Sequence, residues 1–281
     1  GSGTSYTVDI PGSAHTSLAT ITYYVFTSKS GETISGADAD YYTINLNNNG
    51  SSNYSYTVAA GTLTWTGSTN TDWNDDNNWS GSVPTASDDV IIPNVTNDPV
   101  INANASCGVL TIESGGKLTS SNSSYKLTAS SIELQSGGEI LITAGEIECT
   151  GKMDCDGTLS MTTGSGILDV NGEFEIGSTS AGHKNNGTIY VAGDFDASAT
   201  NATADFNSYN SHSVILDGTN QTVTISSTNP TYFQNLTSSA SGTVTMANND
   251  LDINGNFEIT SGTFDMSASN YTLDLEGNFT L

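Results

Sequence analysis

The chain has 281 residues, enough for one long domain or two shorter ones, and only 35% of them are apolar. Five lysines stand against 30 acidic residues with no arginine, for a formal net charge of −25. That balance excludes a nucleic-acid footprint, which needs basic side chains against phosphate, and any chemistry built on an arginine base.

From the N-terminus, the opening GSGTSYTV lacks the basic-then-apolar pattern of a signal peptide and reads as a mature start or an internal fragment. No run approaches the roughly 18 apolar residues of a membrane span. Residues 1–62 hold four Tyr-rich segments, TSYTVDI, LATITYYVFTS, ADYYTINLN and NYSYTVAAG, each expected to be a strand. Sixty residues bury little core alone, so this is expected to be a small β-domain, Ig-like or the C-terminal part of an Ig-like sandwich.

Residues 63–93 contain all three tryptophans, Trp65, Trp73 and Trp79, in a dense field of Asp and Asn. Asp72, Asn74, Asp76 and Asn78 alternate like the start of an EF-hand calcium loop. The match fails further on, because Asn77 stands where the loop needs glycine and Val83 where it needs a bidentate glutamate. A looser Ca2+ site using Asp72, Asp75 and Asp76 stays open, since such a site needs only converging oxygens. The position of the segment, directly before the first repeat, favours a cap. Trp65, Trp73 and Trp79 plug the first coil, Asp and Asn side chains tie the irregular turns, and Pro84 and Pro93 bracket the first strand, DVII.

Residues 94–281 repeat. LDVNGEFEI, IYVAGDFDA, LDINGNFEI and LDLEGNFTL align without gaps on Gly172, Gly193, Gly255 and Gly277. The close pairs are 21 and 22 residues apart, and the gap of 62 between Gly193 and Gly255 equals three periods. Each unit alternates apolar and polar residues as strands do, and periodicity near 3.6 is missing. A single unit cannot bury its apolar face; stacking coils closes it. The expected fold is therefore all-β, a right-handed parallel β-helix of about nine coils, a rod on the order of 40 Å at ~4.8 Å per coil. The repeat glycines are expected at corners with positive φ. Phe174, Phe195, Phe257 and Phe279 are expected to form one core ladder. The same register stacks Asp252 on Asp274 and Glu175 on Asp196, at a repulsion of about 1 kcal/mol per pair in water-like dielectric. Divalent cations are expected to relieve it modestly. LEGNFTL stops in mid-pattern, and the natural protein is expected to continue past Leu281.

The spacing W-x-G … DW-x4-NW … P-x3-DDV-x-IP is carried here by Trp65, Gly67, Asp72, Trp73, Asn78, Trp79, Pro84, Asp88, Asp89, Val90, Ile92 and Pro93. With the short repeats that follow, it resembles repeat regions of large secreted and cell-surface proteins of Bacteroidota-type bacteria and of autotransporter-like adhesins. The resemblance covers about residues 63–281. It implies export, attachment to the cell surface, a long parent chain with further domains as partners, and service as stalk or adhesive surface.

Polysaccharide-active β-helices are the enzymatic alternative. A lyase of that kind needs an arginine this chain lacks, and a hydrolase needs clustered aspartates near a histidine. His15, His183 and His212 sit in polar, loop-like contexts, and Asp154 and Asp156 form a lone D-x-D. No nucleophile motif is present. Cys107, Cys149 and Cys155 read as small buried hydrophobes, with a Cys149–Cys155 bridge left open. The sequence thus points to a non-enzymatic, structural and adhesive segment of an extracellular bacterial fibre, without cofactor unless Ca2+. A glycan-binding module is a further alternative, since the solenoid faces suit sugars and the Tyr-rich strands (Tyr23, Tyr24, Tyr41, Tyr42, Tyr54, Tyr56) offer stacking platforms, although alternation favours placing half of these tyrosines in a core.

Overall fold

A computed structural model describes residues 20–23, 25–28, 44–47, 54–57, 61–177, 184–199, 206–226, 231–268 and 270–281. The chain divides into two compact units, Gly1–Gly61 and Thr62–Leu281. In the first, strand Thr20–Tyr23 pairs antiparallel with Tyr54–Thr57, and Val25–Ser28 with Ile44–Asn47. The predicted strand TSYTVDI, and with it part of the case for an Ig-like sandwich, lies outside the described residues.

The second unit is a β-solenoid of about 8 turns of parallel strands. Its one helical element among the described residues is the short 3-10 turn Asp76–Asn78. Each coil lays one strand or bridge on each of three faces, and apolar side chains alternate inward (buried, half-buried, buried) as the two-residue strand period demands. On the first face the inward column runs Leu63, Val90, Leu110, Ile132, Met153, Phe174, Phe195, Val223, Met246. On the second it runs Leu127, Ile147, Leu168, Ile189, Val214, Leu236, Phe257, Phe279. Each fully buried member contributes about 1.5–3 kcal/mol of apolar burial.

These columns correct the single phenylalanine ladder. Phe174 and Phe195 stack on the first face, with ring centroids 5.8 Å apart. Phe257 and Phe279 stack on the second, 5.4 Å apart, and Phe279 is 50% exposed. The reason is a change in coil length. Phe195 pairs with Val223, a longer step than Met153 to Phe174 to Phe195. The 62 residues that looked like three periods make two coils and two faces of a third, so the second motif pair lands one face short of the first. The same long coil leaves about 8 turns where an even period over residues 94–281 gives nine.

The repeat glycines also serve a different need. Positive φ occurs at Gly67, Gly115, Gly137, Gly145, Gly187 and Gly262, not at the motif positions. At Gly193 a Cβ would stand 2.2 Å from the backbone of Gly172, and at Gly277 2.1 Å from the carbonyl oxygen of Gly255. Glycine stacks on glycine because the coils touch backbone to backbone there. Corners are tied by side chains reaching to the next coil. Asn235 Oδ1 accepts from the Asn256 N–H and Asn256 Oδ1 from the Asn278 N–H, each at 3.1 Å.

Candidate functional site

The tryptophan segment is an insertion within the first coil. Thr62–Thr64, ahead of the tryptophans, already pairs in parallel with Asp89–Ile92, so DVII is the second strand of the stack. Trp65 and Trp73 are fully buried and Trp79 is 5% exposed. Trp79 meets Trp65 and Trp73 edge to face, with centroids 4.9 and 4.8 Å apart. The Trp65 indole donates to the Asn97 carbonyl and that of Trp79 to the Trp73 carbonyl, both at 2.7 Å. Pro84 is buried beside them in sequence.

The buried Asn78 organises this region, a role that reading the motif did not reveal. Its Oδ1 accepts from the N–H groups of Thr69 and Asn70, and its Nδ2 donates to Asn70 Oδ1 and the Asp72 carbonyl. Its own carbonyl takes the Thr66 N–H at 2.7 Å. The remaining motif residues are similarly occupied. Gly67 adopts φ +56 against Asn97, where a Cβ would come within 2.4 Å of a carbonyl oxygen. Asp88 accepts from Thr85 N and Oγ1, and Asp89 from the Val109 N–H one coil on. The only available signal for Asn78 was its place directly before Trp79.

The three carboxylates read as a Ca2+ option each close a different turn. Asp72 Oδ1 accepts from Asn74 N, Asp75 Oδ1 from Asn77 N, and Asp76 Oδ1 from Val83 N. The Asn77 backbone N–H is the main reason the Asp75 carboxyl lies below its usual range. Among the described residues no group of three or more His, Cys, Asp or Glu is placed to hold a metal ion.

Outward positions form charged columns. Glu133, Asp154, Glu175 and Asp196 follow one another in register on the first face, and Asp252 and Asp274 on the third. Burial, then the neighbouring Glu175, raises the Asp154 carboxyl. Burial, then Asp274, raises that of Asp252. Lysines bridge the early coils: Lys117 to Glu139 at 3.1 Å, Lys126 to Glu146 and Glu148 at 2.9 and 2.8 Å, and Lys152 to Glu173 and Glu175. Asp154 lies in this column, and no histidine among the described residues joins it and Asp156 in a metal-type cluster.

The interior carries polar groups that the sequence had placed in loops. Lys184 is 1% exposed, on the inward side of the third face between Met161 and Ser208, with its ammonium 5.2 Å from the centre of the Phe206 ring. His212 is fully buried, and neither ring nitrogen has a hydrogen-bond partner. Burial, reinforced by the Lys184 charge, depresses its imidazole to about 3. Gln221 closes the long coil, its Oε1 accepting from Gly218 N and its Nε2 donating to the Val191 and Gly193 carbonyls. The three cysteines are buried, and burial pushes the Cys107 thiol up to about 12 and that of Cys149 to about 11. His15 and His183 lie outside the described residues.

Taken together, fold and cap define a parallel β-solenoid repeat protein closed by a tryptophan insertion. A family model described as Domain of unknown function (DUF8693) matches residues 64–162, which span the cap and the first regular coils. No curated protein matches the chain, and no solved structure does.

Proposed function

We propose that the chain is a rigid, acidic segment of a bacterial cell-surface or extracellular fibre protein, serving as stalk and adhesive surface beside further domains of a longer chain. The observation that carries this reading is where the motif residues are spent. The tryptophans, Asn78, Asp88 and Asp89 are consumed in closing coils, and the outward rows are left as an ordered, water-facing lattice. A stack whose strands all pair with their neighbours suits load-bearing and presentation, because every coil is supported by the next. The acidic, arginine-free surface fits a solvated extracellular setting.

Attachment of the full chain to cells and to immobilised polysaccharides tests the reading, alongside assays for depolymerised product. Retention without turnover is expected, as is cleavage of the segment by protease added to intact producing cells. Release of oligosaccharide products would replace this reading with the polysaccharide-active alternative. Protection of the segment inside intact cells would overturn the surface location.

A further inference from the structure

The later coils carry a strip on the third face that neither stacking nor capping explains. Tyr232 lies in register with Asp252, and Asp252 with Asp274, so three outward side chains follow one another along the solenoid. Tyr209, one coil earlier, meets Tyr232 edge-on, with centroids 5.5 Å apart and rings at 81°. The two hydroxyls hydrogen-bond at 2.5 Å, which fixes the pair. Tyr209 is nevertheless 41% exposed. Ser211, two residues on from Tyr209, donates its Oγ to Asn186 Oδ1 on the coil before. No lysine follows Lys184 in the sequence, and no ion pair among the described residues reaches Asp252, Asp274 or Glu276.

We propose that this strip binds a glycan bearing free amino groups. The Tyr209 ring offers a flat π-face to the C–H face of a sugar and to a nearby ammonium, which an aromatic ring attracts through its quadrupole. Asp252 and Asp274, at successive steps of ~4.8 Å along the axis, receive protonated amines from following sugars. The surrounding charge of −25 selects against uronate, sulfate or phosphate polymers and towards a cationic one. A line of one aromatic platform followed by regularly spaced carboxylates matches a linear polymer of amino sugars. This deepens the adhesive reading above and rests on it.

Binding of the full chain to free-amine chitosan oligosaccharides, to fully N-acetylated oligosaccharides of equal length, and to poly-lysine tests the site by calorimetry at two salt concentrations. The free-amine oligomer binds, and its N-acetylated counterpart is about tenfold weaker or more. Tyr209→Ala and Asp252→Asn each lower affinity about tenfold while leaving circular dichroism unchanged, since both side chains face outward. Equal affinity for both oligomers, or an Asp252→Asn/Asp274→Asn double variant that binds like the parent, overturns the proposal. Poly-lysine binding as tightly, with no dependence on Tyr209, reduces the strip to bare electrostatics and also overturns it. Failure of all oligomers to bind while cell attachment persists removes this site alone; loss of both removes the adhesive reading with it.

Discussion

The early coils, up to Ile176, and the later ones, from Lys184 on, share a fold but not a way of satisfying it. In the early stretch the inward columns are apolar apart from Ser120, coil lengths are nearly constant once the tryptophan insertion is passed, and three lysines bridge the outward carboxylates of neighbouring coils. In the later stretch Lys184, Ser208, His212 and Gln221 occupy buried positions, one coil is longer, and the outward aspartates face no lysine. A solenoid thus tolerates coil-length variation where a polar side chain closes the extra turn, as Gln221 does between Gly193 and Gly218. Regular coils draw on burial, and irregular ones on specific hydrogen bonds.

The sharpest way to break this contrast is through the aromatic stacks. Phe195→Ala, in the middle of the first-face column, is expected to cost about 3–5 kcal/mol. Phe279→Ala, half exposed on the second face, is expected to cost about 1 kcal/mol. Urea midpoints followed by far-UV circular dichroism decide the matter. Equal losses would restore the single ladder that the gapless alignment implied.

Backbone contact between coils comes next. Gly193→Ala forces a methyl into the Gly172 backbone and is expected to destabilise by about 1–3 kcal/mol. Gly164→Ala, with nothing within 4 Å, is expected to be neutral or slightly stabilising. A thermally silent Gly193→Ala would mean that the coils can separate at this corner.

Acid sharpens the comparison because the buried imidazole and the outward aspartates shift in opposite senses. His212 has a folded value of about 3, below the ordinary 6.5, so the unfolded chain binds its proton first. Stability from this group is full above pH 6.5 and falls as pH drops towards 3. Asp154, Asp169, Asp217 and Asp252 are raised, chiefly by burial, so the folded chain takes up their protons first and gains stability on acidification. His212→Phe removes the first effect and leaves the second. Its melting temperature is expected to hold or rise between pH 6.5 and 4.5, where the parent's falls relative to it. Parallel profiles for the two proteins would show that His212 does not titrate between folded and unfolded states.

The smallest effects are ionic. Lys152→Met removes bridges whose partners are 40–45% exposed and is expected to cost about 0.2–1 kcal/mol. Millimolar Ca2+ against EDTA is expected to raise the melting temperature by about 2–4 °C, the counterpart of about 1 kcal/mol from relieved carboxylate repulsion. A larger Ca2+ shift in an Asp252→Asn/Asp274→Asn variant than in the parent would contradict the later aspartates as the source.

Much of this was legible in the residues themselves. Alternation and glycine-spaced repeats disclosed stacked parallel strands, and the pairings Asp252–Asp274 and Glu175–Asp196 followed from the period alone. The two-ladder arrangement was not legible, because LDVNGEFEI and LDINGNFEI have the same local pattern on different faces. Only the length of the intervening coil distinguishes them, and that is set by Gln221 and its neighbours rather than by any repeat. His212 read as a loop residue because polar surroundings in sequence do not reveal which way a side chain turns at a corner. Asn78 was masked by the Asn-rich composition around it, though it alone of the polar residues there is fully buried.

The insertion of the tryptophans between Thr62–Thr64 and Asp89–Ile92 has a kinetic consequence. All three indoles sit at one end of the solenoid, and their cluster completes only when the chain has travelled once round and the second strand has docked. Tryptophan emission is therefore a local clock for closure of the first coil, silent to events nearly the full length of the stack away. Unfolding that begins at Leu281 would reach circular dichroism long before it dims or shifts that light, so the lag between the two signals measures how far fraying travels.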